Sequence, residues 1–215
     1  MLRTVGDLEE AIWAELAWRK KELLQVNMRL KAAPAWAVGM DVRAGITPLY
    51  AHWEGFVKAA SERLVEHVGS QRLSYGELSA GYLAIALSKD LDLVRESEKS
   101  RAPDLALTRI LVGRENQPAT LRPRAAAITG SNLSWKQFRS IAETLELRSK
   151  QFQLLENLIN SSLVDERNTI AHGSPSAPIS GVAYGELHAH VLGLLDGVAK
   201  EVLRVADKRL YKRRP

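Results

Sequence analysis

The sequence has no cysteine, so it can form neither a disulfide framework nor a thiolate metal site. It also lacks a long apolar run. Its most apolar stretches, such as "SAGYLAIAL" (Ser79–Leu87), fall well short of the roughly 20 residues that a bilayer span requires, and no membrane span is expected. The opening "MLRTVGDLEE" turns acidic at once, with no apolar signal segment behind it, so a cytoplasmic location is the expectation. Aromatic residues are sparse, at 6%. Strand-like alternation is scarce, and neither an internal repeat nor a low-complexity tract is present.

What is present suits one domain. The chain has 215 residues, of which 46% are hydrophobic, enough for a real core and against wholesale disorder. A single domain over residues 1–215 is expected, with an insertion at about 74–130. The formal charge of +5 permits a polyanionic partner without requiring one. Part of it gathers in the tail, at Lys208, Arg209, Lys212, Arg213 and Arg214. Such a tail serves equally as a solubilising helix end or as a contact for nucleic acid.

Apolar residues recur three and four apart, the helical spacing. A first helix is expected over about Asp7 to Lys31, with the stripe Leu8, Ile12, Leu16, Leu23, Val26 and Leu30. Pro34 and Gly39 break it. A second is expected from about Thr47 to Val68, with Pro48 in its first turn and Gly69 at its end. "SYGE" (Ser74–Glu77) has the form of a capping box and predicts a shorter helix to about Leu87. From Ser88 to Gly130 no period is sustained, and "LTRILVG" within it is either a short helix or a strand. "SWKQ" at Ser134 is a second capping-box pattern, followed by a helix carrying Phe138, Ile141 and Leu145. The next helix is expected over about Lys150 to His172. A turn-rich "GSPSAPISG" separates it from a long final helix, about Tyr184 to Tyr211. The sum is an all-α bundle of four principal helices.

The stretch "LVDERNTIAHGSP" (Leu163–Pro175) carries the chemistry. At about 100° per residue, Phe152, Leu155, Ile159, Leu163 and Ile170 share one arc, the core face. Asn168 and His172 are four apart and lie nearly opposite it, with Arg167 at its edge. One reading is an ordinary helix end: His172 suits the negative dipole end, and Gly173 suits a left-handed cap. The other is half of an active site. There an imidazole favoured in its charged form works as acid and base, and the guanidinium holds a phosphate or meets its growing charge. A lone histidine without grouped carboxylates is a poor metal set, so no metal or cofactor is expected. His188 and His190, two apart on a helix, point to different sides and do not chelate together.

"RNTIAH" (Arg167–His172) resembles the R-N-x-x-x-H form of the R-x(4–6)-H motif of HEPN domains. "DLEEAIWAELAWRKKELLQV" (Asp7–Val26) and "YAHWEGFVKAASERLVEHV" (Tyr50–Val68) are similar to the first two helices of the MAE-like branch of that superfamily. "NLSWKQFRSIAETLEL" (Asn132–Leu147), ahead of the motif, is similar to a later segment of the same branch. The resemblance implies a HEPN-like four-helix bundle that cuts RNA without a metal, as a homodimer with one motif from each protomer in a shared cleft. It implies that His172 moves the proton, Arg167 stabilises the phosphorane-like charge and Asn168 orients both. It further implies that Glu54 reaches the motif cleft, although a surface pair with Lys58 accounts for Glu54 as well. His52 is read as a surface residue and Trp53 as core.

Three function classes remain open on the sequence. The first is a HEPN ribonuclease, as the toxin of a toxin–antitoxin or anti-phage system with an antitoxin protein as partner. The second is a non-catalytic HEPN module that binds RNA, nucleotide or a partner protein. The third is a plain helical scaffold.

Overall fold

In a computed structural model, residues 2–90, 113–127, 132–174 and 179–214 are described. The first helix, α1 (Val5–Lys31), begins where the local chemistry dictates. Thr4 Oγ1 accepts from the Asp7 N–H at 3.0 Å, and Asp7 Oδ2 accepts from the Thr4 N–H at 2.9 Å. This reciprocal cap satisfies two amide groups that have no partner inside the helix. Leu8, Ile12, Leu16, Leu23 and Leu30 are buried as the spacing predicts, and Val26 is half-buried. Arg19 shares the buried side. Room for it comes from Gly55, where an ideal Cβ would lie 2.6 Å from Arg19 Nη1.

The second helix, α2 (Val38–Ser70), corrects an expectation: it starts at Val38, not near Thr47, and carries Pro48 in its interior. An interior proline costs about 3 kcal/mol. Burying an aliphatic side chain returns roughly 1.5–3 kcal/mol, and Val42 and Ile46, both in the turns before Pro48, are each 1% exposed. Core burial therefore outweighs the local break. Gly45 lets the same stretch lie against the ring of Tyr184, where an ideal Cβ would come within 2.8 Å.

The helix expected from Ser74 to Leu87 is split. Its capping box forms, but it opens only a 3-10 turn, Tyr75–Glu77. Leu78 then adopts extended backbone and bridges to Lys212, while the Ser79 N–H donates to the Tyr211 carbonyl at 2.8 Å. Pairing with the C-terminal segment thus interrupts the helix, which resumes as α3 (Ala80–Ala86). Residues 107–112, read as helix or strand, lie outside the described residues. The chain is described again at Gly113, bridges Ser74 through Pro118, and sets a 3-10 turn, Pro123–Ala127, against α2.

Helix α4 (Trp135–Thr144) is capped by Ser134, whose hydroxyl accepts from the Gln137 N–H at 3.5 Å. The returning half of the predicted box is absent, because the Gln137 side-chain oxygen is buried without a partner. The helix expected over Lys150–His172 is three segments: a 3-10 stretch Ser149–Leu155, a π-helical stretch Leu158–Asp165, and α5 (Glu166–Ala171). A uniform step of about 100° per residue does not hold through a π-helix. Helix α6 (Gly181–Asp207) starts earlier than expected, at the Ser180 cap, and ends before Tyr211. The Tyr211 ring is buried beside those of His67 and Tyr82.

Helices α1, α2 and α6 pack mutually, and the π-helical stretch, α5 and the Pro123–Ala127 turn cover another side of α2. Among the described residues there is no β-strand, only two isolated bridges, and no helix is long and apolar enough to cross a membrane. The fold is an all-α bundle. One ion cluster around a buried carboxylate ties it across long sequence separation. The side chain of Glu201 on α6 is 3% exposed and accepts from the Arg148 guanidinium at 2.7 Å and from Arg204 Nε at 2.9 Å. Burial raises its pKa, but these hydrogen bonds prevail and bring it from 4.5 down to about 2.

A depressed carboxylate pKa contributes stability above its unfolded value and loses it as pH falls through the folded one. Glu201→Gln should therefore lower the urea midpoint at pH 7. The gap from wild type should narrow as pH falls below 4.5 toward about 2, followed by circular dichroism.

Candidate active site

Three elements converge on Arg167. It lies near the start of α5, half-buried, and its Nη1 donates to Asn168 Oδ1 at 2.9 Å and to Asn132 Oδ1 at 3.2 Å. Its guanidinium carbon lies 5.1 Å from the ring centroid of Tyr50 on α2, within range of a cation–π contact. Tyr50 is buried, and its hydroxyl accepts from the Leu133 N–H at 2.8 Å. The Glu54 carboxylate lies beside the same hydroxyl, one turn further along α2. Burial is the main reason the Tyr50 pKa is raised, and the Glu54 carboxylate adds to it, while Leu133 and Arg167 oppose. The phenol is therefore neutral at physiological pH.

His172 occupies the end of α5. Its N–H donates to the Asn168 carbonyl at 3.0 Å, and the residue is exposed. Gly173 follows with φ +68°. Its N–H donates to Ile170 at 3.1 Å, and the Ser174 N–H reaches back to Thr169 at 3.0 Å. That pair of bonds is the Schellman termination, which needs a left-handed residue and so favours glycine. The ordinary helix end foreseen from the sequence is present, and it presents the imidazole to solvent. Arg43 on α2 donates to the Ser174 carbonyl at 3.1 Å, fastening the chain just past the histidine.

The predicted site residues do not all meet. Arg167 and Asn168 bond directly. Asn168 is half-buried. The side chain of His172 makes no hydrogen bond to either. Glu54 pairs with Lys58 at 2.9 Å, and its carboxylate lies beside the Tyr50 phenol. Trp53 is core, as read. His52 is a correction: it is buried, 6% exposed, and faces α1. Its Nδ1 lies 3.4 Å from Arg19 Nη1 and its Nε2 3.3 Å from the Glu22 carboxylate. Burial lowers its pKa despite Glu22. The helical period of α2 puts His52 two residues off the side that carries Tyr50 and Glu54. His188 is an inter-helix residue, its Nε2 3.2 Å from the Leu23 carbonyl, whereas His190 is exposed. Among the described residues, no group of three or more His, Asp or Glu side chains is placed to hold a metal ion.

Sequence reasoning missed Tyr50, Asn132 and Arg43. Tyr50 carries a signal in hindsight, since it precedes Glu54 by one turn. Asn132 carries none, because its partner Arg167 is 35 residues away.

Comparison with family models matches residues 8–211 to a family described as MAE_28990-like HEPN. No curated protein and no solved structure matches the chain.

The helix end gives a direct test. Gly173→Ala places a Cβ at a positive φ and should destabilise the fold by about 1 kcal/mol. Hydrogen exchange of the 172–174 amides should rise with it; unchanged exchange would show that the left-handed turn is not what fixes His172.

Proposed function

Because the chain belongs to the MAE_28990-like HEPN family, we propose that it is an endoribonuclease that needs no metal and acts as a homodimer. The ribose 2′-hydroxyl attacks the neighbouring phosphorus, forming the 2′-O–P bond as the P–O5′ bond breaks. The products are a 2′,3′-cyclic phosphate and a 5′-hydroxyl. His172 of one protomer takes the 2′-hydroxyl proton, and the same residue of the second protomer gives a proton to the departing 5′-oxygen. Arg167 meets the charge growing on the phosphoryl oxygens. Asn168 orients Arg167 through its side-chain oxygen.

The observation that carries this reading is the contrast between the two basic side chains of the motif. The Arg167 guanidinium is held through one nitrogen, and its Nε and Nη2 have no partner among the described residues. The His172 imidazole stands exposed at a rigidly terminated helix end. One group is fixed for electrostatics and the other is accessible for proton transfer. Support for a second copy comes from the start of α2, where Arg43 holds Ser174 and where Met40 is 67% exposed, next to Trp36 at 83%. Exposed apolar groups at a functional end mark contact surfaces. The role we assign is that of a toxin held in check by an antitoxin protein, in the cytoplasm.

The test is incubation with mixed RNA in EDTA, beside His172→Ala and Arg167→Ala. Each substitution should lower cleavage by roughly 100- to 10,000-fold, and wild-type products should carry cyclic phosphate ends. RNA binding without cleavage by wild type would instead favour a binding module, and cleavage that needs added metal would contradict the mechanism.

A further inference from the structure

Resting on the ribonuclease reading, we propose that Tyr50 and Asn132 are positioning residues. They hold the Arg167 guanidinium in one orientation, with its Nε–Nη2 edge left for two oxygens of the scissile phosphate. The bond from Arg167 to Asn168 joins neighbours on one helix, so by itself it fixes the guanidinium only relative to α5. The two other contacts come from elsewhere in the bundle. Asn132 Oδ1 takes Nη1 from the segment leading into α4, and the Tyr50 ring lies under the guanidinium from α2.

These two supports are themselves tied together. The Tyr50 hydroxyl accepts from the N–H of Leu133, the residue after Asn132. The links therefore close a circuit: Arg167 to Asn132, along one peptide to Leu133, from Leu133 to Tyr50, and from Tyr50 back to Arg167. A closed circuit of this kind removes the swing that a long side chain otherwise retains, and a planar cation fixed at one nitrogen and one face keeps a defined edge for bidentate phosphate. The circuit also gives Glu54 a place. Its carboxylate lies beside the Tyr50 phenol and helps to raise the phenol pKa, which keeps the hydroxyl that takes the Leu133 N–H uncharged.

The experiment pairs kinetics with the nitrogen spectrum of the Arg167 side chain. With a defined RNA, Asn132→Ala and Tyr50→Phe should each lower kcat by roughly 10- to 100-fold, with KM within about threefold, the mark of lost orientation at the reacting centre. In wild type the Nε–H of Arg167 should show slow solvent exchange and a ring-current shift. Asn132→Ala should speed the exchange, and Tyr50→Leu should abolish the ring-current shift. Tyr50→Phe should keep that shift yet lose the order. If Tyr50→Leu does not fold, Tyr50→Phe and Asn132→Ser carry the measurement. Fast exchange and no ring-current shift in wild type would overturn the proposal, as would an unchanged kcat for Asn132→Ala in an active enzyme. If wild type cuts no RNA, the ribonuclease reading fails, and the Arg167 spectrum alone then decides whether the seat exists.

Discussion

The burial of α2 is the constraint on which the rest depends. Its stripe of Val42, Ile46, Leu49, Trp53, Phe56, Ala60 and Leu64 is almost wholly removed from water, with α1 and α6 packed against it and α5 and the π-helical stretch on another side. That burial is strong enough to carry the helix through Pro48. Because the helix continues, Arg43, Tyr50 and Glu54 stand seven and four residues apart on one side of a single element. A break at Pro48 would separate Arg43 from the other two. Arg43 fastens the chain after His172, and Tyr50 seats Arg167. Core packing on one face of α2 thereby sets the spacing of polar groups on another.

The second consequence lies on the opposite side of the site. The π-helical stretch Leu158–Asp165 buries Ile159, Leu163 and Val164, and burial of the adjacent pair Leu163 and Val164 is easier with the wider turn. Everything beyond the stretch is rotated relative to a continuous α-helix, so the side chains of α5, Arg167 and Asn168 among them, are re-aimed together against the core. Single π-turns recur at functional sites for this reason: one wider turn re-aims the side chains that follow it. The short α5 then ends in a two-bond termination that leaves the imidazole outside.

Much of this was legible in the sequence where the physics is local. The apolar period of α1, the Ser74 capping box, the glycine after His172 and the all-α class need only neighbours within a few residues. The motif residues Arg167, Asn168 and His172 were legible as a pattern, and the family followed from them and from the flanking helices. What escaped was set by distant partners. Pro48 reads as a helix start until the burial of Val42 and Ile46 is known. Leu78 reads as helical until Lys212 lies beside it. His52 reads as surface until Arg19 and Glu22 close over it, and no spacing rule links Asn132 to an arginine far along the chain. The angular arithmetic for the motif assumed a uniform turn, which Leu158–Asp165 does not keep.

The central claim is that Arg167 and His172, brought together by one family motif, drive attack by the ribose 2′-hydroxyl. A defined RNA, and the same RNA with a single 2′-deoxy nucleotide at the cut position, tests it most directly when both are offered to wild type in EDTA. The account predicts that the first is cut and the second stays intact at that position. Equal cutting of both would mean that another nucleophile attacks the phosphorus, and the roles assigned to Arg167 and His172 would fall with it.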